Sequence, residues 1–214
     1  MNALRKVYPG VKVTGCLYHF QTNLFKNIMK KYPSYRQNEH TQKTFDLVKT
    51  LVFVPPGFVL DVYTDIIKEY AKTNNVLNEM SSFFTYFEAT YIGIKARNGR
   101  VKQPVFPIDM WCMFHVVNEH TSTTNNSLEA FNGNFNQCQP GPQTIYTALE
   151  GFKREVEFTE IKHGELTSGE FSEPQSKRKK LKDEKYDEII LIMSTFCNEN
   201  VMSYMDKLVE VYCK

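Results

Sequence analysis

Between Leu17 and Phe87 apolar residues recur at three- and four-residue steps, and a chain with that period has to pack helix against helix. Leu17, Phe20, Leu24, Phe25, Ile28 and Met29 recur in this way until Tyr32-Pro33, where proline disfavours helical backbone in the residue before it. A second helix is predicted from about His40 to Phe53, on Phe45, Val48, Leu51 and Val52, and Pro55-Pro56-Gly57 breaks it. A third carries Val59, Val62, Ile66, Ile67 and Tyr70. A fourth runs from Val76 through Leu77, Met80, Phe83, Phe84 and Phe87. Helices in such close succession leave little room for a sheet, so the fold class read here is mostly α.

The flanks read differently. Ala3, Leu4 and Val7 share one face of a helical scrap, Pro9-Gly10 makes a turn, and the alternation Val11-Lys12-Val13 reads as a short strand. A strand needs neighbours for its edge hydrogen bonds, so residues 1–15 read as the remnant of a larger domain. From Ile94 to Pro107 the chain is basic and aperiodic (Lys95, Arg97, Arg100, Lys102). This is a solvated loop, with phosphate contact as the alternative. A helix is expected from Asp109 to Asn118, then a turn rich in capping residues over Thr121 to Asn126, then Leu128, Phe131 and Phe135 at helical spacing. Pro140-Gly141-Pro142 precedes a helix from about Thr144 to Phe158. The polar stretch from His163 to Glu188 reads as a disordered linker. Ile189, Ile192, Met193, Phe196, Val201, Tyr204, Met205, Leu208, Val209 and Tyr212 close the chain as a helix or helix pair. The segments expected are therefore 1–15, a helical region over 16–120, a further helical region over 121–160, a basic linker over 161–187 and a helical tail over 188–214.

Composition narrows the function classes. With 42% hydrophobic and 14% aromatic residues the chain is too apolar to stay unfolded. A formal charge of +2 creates no strong global field, so binding to nucleic acid requires a local patch. The five cysteines are odd in number and irregular in spacing, and no signal peptide is visible, which points to free thiols in a reducing compartment. The longest apolar runs, such as Leu51 to Val54 and Ile189 to Met193, fall far short of the ~20 residues that a membrane span needs, so no membrane partner is expected.

Three local features carry chemistry. In Gly15-Cys16-Leu17-Tyr18-His19-Phe20 a strand runs straight into a helix, and Cys16 and His19 fall within one turn of it. Such spacing suits a metal, and with Cys112 and His115 it makes a four-ligand zinc site arithmetically possible. The alternative is a buried or capping His19, with Cys112 and His115 as residues of an aromatic core. In Thr124-Asn125-Asn126-Ser127-Leu128-Glu129, Asn126 as N-cap with Glu129 three residues on resembles a capping box, and a catalytic carboxylate at Glu129 is the other reading. Finally, Lys177-Arg178-Lys179-Lys180 after Pro174 fits a nuclear-localisation signal read by an importin in extended form. Its alternative is a plain solvated run.

The run Asn2-Ala3-Leu4-Arg5-Lys6-Val7-Tyr8-Pro9-Gly10-Val11-Lys12-Val13-Thr14-Gly15-Cys16-Leu17-Tyr18-His19-Phe20 resembles the catalytic domain of Mutator-like (MULE-type) DDE transposases. In that family a helix, a Phe/Tyr-Pro-Gly turn and a strand lead into Cys-x-x-His. Phe53-Val54-Pro55-Pro56, Tyr86-Phe87-Glu88-Ala89-Thr90-Tyr91-Ile92-Gly93, Phe106-Pro107-Ile108-Asp109-Met110-Trp111 and Thr124-Asn125-Asn126-Ser127-Leu128-Glu129-Ala130-Phe131-Asn132 follow in the family's order. The likeness covers residues 2–158.

The resemblance implies an RNase H-like α/β core, of which residues 1–15 are a remnant, interrupted by an all-helical insertion over about 17–120. It implies two Asp and one Glu holding two Mg²⁺ ions in a complete site. The Asn-x-x-Glu segment maps onto Asn126 and Glu129, beside Asn125, which makes Glu129 the carried-over metal ligand. It places Cys16 and His19 on the active-site side, with His19 near the scissile strand. The two Asp belong upstream of Asn2 and are absent, and one carboxylate cannot hold two hard cations against water. The expectation is therefore a truncated, catalytically inactive, nuclear transposase derivative that binds no Mg²⁺ by itself and whose partners are DNA, a full-length transposase and an importin. The alternatives are a domesticated protein–protein interaction module and an active transposase whose N-terminal part is missing from this sequence.

Overall fold

The computed structural model describes residues 6–95, 101–119, 123, 131–133, 135, 144–168 and 177–213. Helix α1 (Leu17–Lys31) starts directly after an extended stretch and buries Leu17, Phe20, Leu24 and Ile28, the inner side of its apolar pattern. Pro33–Gln37 forms a 3₁₀ turn. Helix α2 (Glu39–Thr50) is capped by Asn38, whose side chain accepts the His40 N–H at 2.9 Å, and buries Phe45, Leu47 and Val48. Two further 3₁₀ turns, Leu51–Phe53 and Pro56–Phe58, lead into α3.

Helix α3 is α over Val59–Asp61, π over Val62–Lys68 and α again over Glu69–Thr73. Helix α4 (Ser81–Phe87) also runs on into a π turn, Glu88–Ile92. The two π segments are tied together. Tyr63 donates its hydroxyl to Glu88 Oε1 at 3.0 Å, and Lys68 Nζ meets the same oxygen at 2.8 Å. Asn75, with φ of 60°, turns the chain between α3 and α4, so the fourth helix starts later than Val76 although Val76 and Met80 are buried.

A two-residue antiparallel ribbon, β1 (Ile94–Lys95) with β2 (Val101–Lys102), pairs Ile94 with Lys102 and Lys95 with Val101. It stands in the stretch expected to be a plain loop. Short helices α5 (Ile108–Trp111) and α6 (Phe114–Asn118) follow, then α7 (Ile145–Ser168), α8 (Lys177–Met193) and α9 (Val201–Cys213). The described part of the chain is mostly helical. Val11–Val13, read as a strand, is extended chain with no strand partner among the described residues.

The chain divides into two units, one of residues 1–123 with 183–214 and one of residues 124–182. In the first, the closing residues are no detached tail. Ile189, Met193, Tyr204, Met205 and Leu208 are buried in the same cluster as Leu24, Leu47, Val52 and Phe53. Tyr204 donates to the carbonyl of Phe53 at 2.6 Å, and the Tyr212 ring packs edge-on against Phe53. In the second, α7 leaves Ile145, Leu149, Phe152 and Val156 more than half exposed, and Phe135 packs on Phe152 with ring centroids 4.8 Å apart.

The expected disordered linker over 161–187 is a correction: α7 continues to Ser168 and α8 starts at Lys177. Lys, Arg, Leu and Glu are good helix formers, and a helix with no apolar stripe leaves no period to read. Since Leu208 is fully buried in α9, Leu208→Ala should cost about 2–5 kcal/mol of unfolding free energy in a urea titration. A change within error would show that α9 is dispensable to the core.

Candidate functional site at the Cys16–His19 helix start

The extended segment 11–16 is held at its end by backbone. Gly15 donates its N–H to the Met110 carbonyl at 2.5 Å, and the next free amide of the helix start, Leu17 N–H, donates to the Thr123 carbonyl at 2.9 Å. The first contact explains Gly15, because a Cβ there would stand 3.0 Å from the Met110 oxygen. The second brings the two ends of the helical region together, with Leu17 at its start and Thr123 just past its last helix. Thr123 is itself buried, and its hydroxyl shares a 2.9 Å hydrogen bond with Tyr186, whose phenol is shifted upward by burial. No feature of the local sequence marks Thr123 or Tyr186 as partners, since 63 positions separate them.

Cys16 is half-buried at the N-cap position, with extended backbone (ψ 123°), and its carbonyl accepts the Phe20 N–H at 3.0 Å. His19 is exposed one turn in, its ring edge-on to Tyr18 at 5.6 Å. Phe20 points the other way and stacks on Trp111, with centroids 5.2 Å apart and planes 5° from parallel. Trp111 Nε1–H in turn donates to the Tyr91 carbonyl at 3.0 Å. Cys112 is buried and its thiol donates to the carbonyls of Val54 and Val52 at 3.2 and 3.5 Å. Thus the blocks containing Phe20, Val54, Tyr91 and Trp111, distant in sequence, interlock in one place.

Burial pushes the Cys112 thiol up to about 11, far from the thiolate that zinc requires. His115, three residues on, is exposed. Among the described residues, which include Cys16, His19, Cys112 and His115, no three His, Cys, Asp or Glu side chains are grouped to hold a metal ion. The arithmetic possibility of a shared zinc site is therefore not realised in this geometry. Asp109 and His115 instead line a cleft of about 290 Å³ with Val11, Val13, Pro56 and Val116. At this cleft Lys12 Nζ pairs with Glu119 at 2.7 Å, and the ammonium holds the Glu119 carboxyl below its ordinary range.

Asn125, Asn126 and Glu129 lie outside the described residues. Lys177, Arg178, Lys179 and Lys180 form the first turn of α8, so the basic run is helical where an importin-bound signal is read extended. No known protein family, curated protein or solved structure matches the chain. No helix among the described residues is long and apolar enough to cross a membrane.

Two outcomes follow from this geometry. Gly15→Ala should lower stability by about 1–3 kcal/mol, because the new methyl must push Met110 away, and thermal melting measures it. For Cys112, a thiol raised above its unfolded value of about 8.5 gives stability that is complete below that pH. That contribution is lost as pH rises toward about 11. The melting temperature should therefore fall between pH 8.5 and 11, and Cys112→Ala should flatten the fall; an equally steep fall in the variant would remove Cys112 as a cause.

Proposed function

We propose that this chain is the part of a MULE-type DDE transposase catalytic domain that carries the helical insertion and the Asn-x-x-Glu segment, and that by itself it binds DNA without cutting it. The observation that carries the reading is the hydrogen bond from Leu17 N–H to the Thr123 carbonyl, 2.9 Å long. An insertion must leave and re-enter its host fold at neighbouring points. Here the region expected to be the insertion begins at Cys16-x-x-His19 and returns to that spot one residue before the Thr124–Asn132 block. The interlocking of the quoted blocks around Phe20, Trp111, Tyr91 and Cys112 supports the same reading.

The family's two Mg²⁺ ions would need several carboxylates in one place. Asp61 and Asp65 stand on α3 and Asp109 on α5, and no metal-holding group exists among the described residues. Glu129 is outside them, so the described residues offer no metal-dependent step. Binding is then what this chain contributes, with a nuclear site of action if Lys177, Arg178, Lys179 and Lys180 are read as a localisation signal.

A protein–protein interaction module is the second reading. It is favoured by the exposed Ile145, Leu149, Phe152 and Val156 of α7, which recur at three- and four-residue steps along one face. The readings part in one experiment. The purified chain, incubated with end-labelled terminal-repeat DNA and Mg²⁺, should retard the DNA at low salt and produce no nicks. Nicking would overturn the non-cutting assignment, and no retardation at low salt would favour the interaction module.

A further inference from the structure

Charge is distributed unevenly along this chain in a way that its net value of +2 conceals. All 24 Asp and Glu lie after residue 38, whereas seven Lys and Arg precede that point. Helix α1 lies wholly within the acid-free part. A solvated helix ordinarily interleaves Glu with Lys, because such pairs at i,i+4 are stabilising and like charges are not. In α1 the cations Lys26, Lys30 and Lys31 have no acid on their own helix, and among the described residues no ion pair involves them.

The same helix exposes rings. Tyr18, Phe25 and Met29, at i, i+7 and i+11, share one face and are 58%, 43% and 41% exposed. His19, Lys26 and Lys30, at the same spacing one position on, form the adjacent ridge, and all three are exposed. Arg36, from the 3₁₀ turn that follows, sets its guanidinium 5.8 Å from the Phe25 ring centre and 5.6 Å from that of Tyr35. Where the helix ends, Tyr32 donates to Glu79, and Lys12 before it is neutralised by Glu119. The unneutralised charge is thus confined to the outer face of α1 and the turn beyond it.

Cations alternating with exposed rings fit one polymer well: a single-stranded nucleic acid, whose phosphates need diffuse positive charge and whose unpaired bases stack on aromatic faces. We propose that the outer face of α1 is a docking surface for single-stranded DNA, with Lys26, Lys30 and Arg36 taking phosphates and Tyr18 and Phe25 taking bases. This deepens the DNA-binding reading and rests on it. The spacing suits the task, because Lys26 and Lys30 are about 6 Å apart along the helix axis and can serve successive parts of one backbone. Since all five side chains are on the surface, their removal leaves the core intact.

The test is fluorescence anisotropy of the full chain with a labelled oligo-dT and with a hairpin duplex, across a series of salt concentrations. The wild type is expected to prefer the single strand. Lys26→Ala/Lys30→Ala/Arg36→Ala should make the slope of log K against log salt shallower by about 2, as expected for three lost phosphate contacts on a single strand. Tyr18→Ala/Phe25→Ala should weaken binding about tenfold or more while leaving that slope unchanged. Circular dichroism of each variant checks that it is folded. If the wild type binds neither oligonucleotide at low salt, the DNA reading fails as a whole. If it binds and these variants bind equally well, while Lys177→Ala/Arg178→Ala/Lys179→Ala/Lys180→Ala abolishes binding, only the assignment to α1 is overturned. Displacement of the DNA by polyglutamate at equal charge concentration would also overturn it, because the face would then read charge without bases.

Discussion

The indole of Trp111 is where three distant stretches of the chain are fixed to one another. Its face lies on Phe20 of α1, its N–H is satisfied by the Tyr91 carbonyl at the end of α4, and its own short helix supplies the Met110 carbonyl that receives Gly15. A buried indole has to satisfy its donor, and a stacked ring pair adds about 0.5–1.5 kcal/mol beyond the area it buries. The arrangement therefore specifies geometry as well as stability. With Phe20 held on Trp111, the outer face of α1 is set by the helix period alone, and the start of α1 can fall only next to Thr123. The placement of Cys16 and His19 is a consequence of this packing more than of their own interactions.

The same dependence explains why α9 belongs to the core. Val52, Phe53 and Val54 run in a 3₁₀ turn and the residue after it, and their carbonyls lack the partners that an α-helix would provide. Val52 accepts Met113 N–H at 2.8 Å, Val52 and Val54 accept the Cys112 thiol, and Phe53 accepts the Tyr204 hydroxyl. Buried carbonyls have to find donors. Here the donors come from two segments far apart in sequence, so the first half and the end of the chain are needed together.

Much of the helical content was legible because the apolar period is unbroken from Leu17 to Tyr70, and the Pro and Gly breaks fall at its gaps. The π segments were not, because inserting one residue per turn keeps apolar residues on the inner face, and the steps of Val62, Ile66 and Ile67 read equally well as α. The run from Lys177 to Glu188 was misread for the opposite reason: its helix carries no stripe until Ile189. At the candidate site, a helix starting directly after Cys16 was legible from the change of period, as was the core alternative for Cys112. The closure of Leu17 on Thr123 was not, since a backbone bond across 106 residues has no side-chain signature. Asn126 and Glu129, on which the transposase resemblance places most weight, lie outside the described residues.

Charge adds a constraint that packing does not. Beyond residue 38 the chain carries 19 Lys and Arg against 24 acids, so an acid-free start is joined to a body of opposite sign. Such a chain orients in the field of a polyanion with α1 foremost, while the rest of the surface is repelled. Repulsion of this kind lowers affinity at low salt, where fields reach furthest, and matters little beyond the ~8 Å screening length of physiological salt. Contacts by α1 would then survive screening better than a net charge of +2 suggests, because the opposing charges are screened first. The uneven distribution therefore favours a local, face-specific contact over the diffuse adhesion that a uniformly basic protein would show.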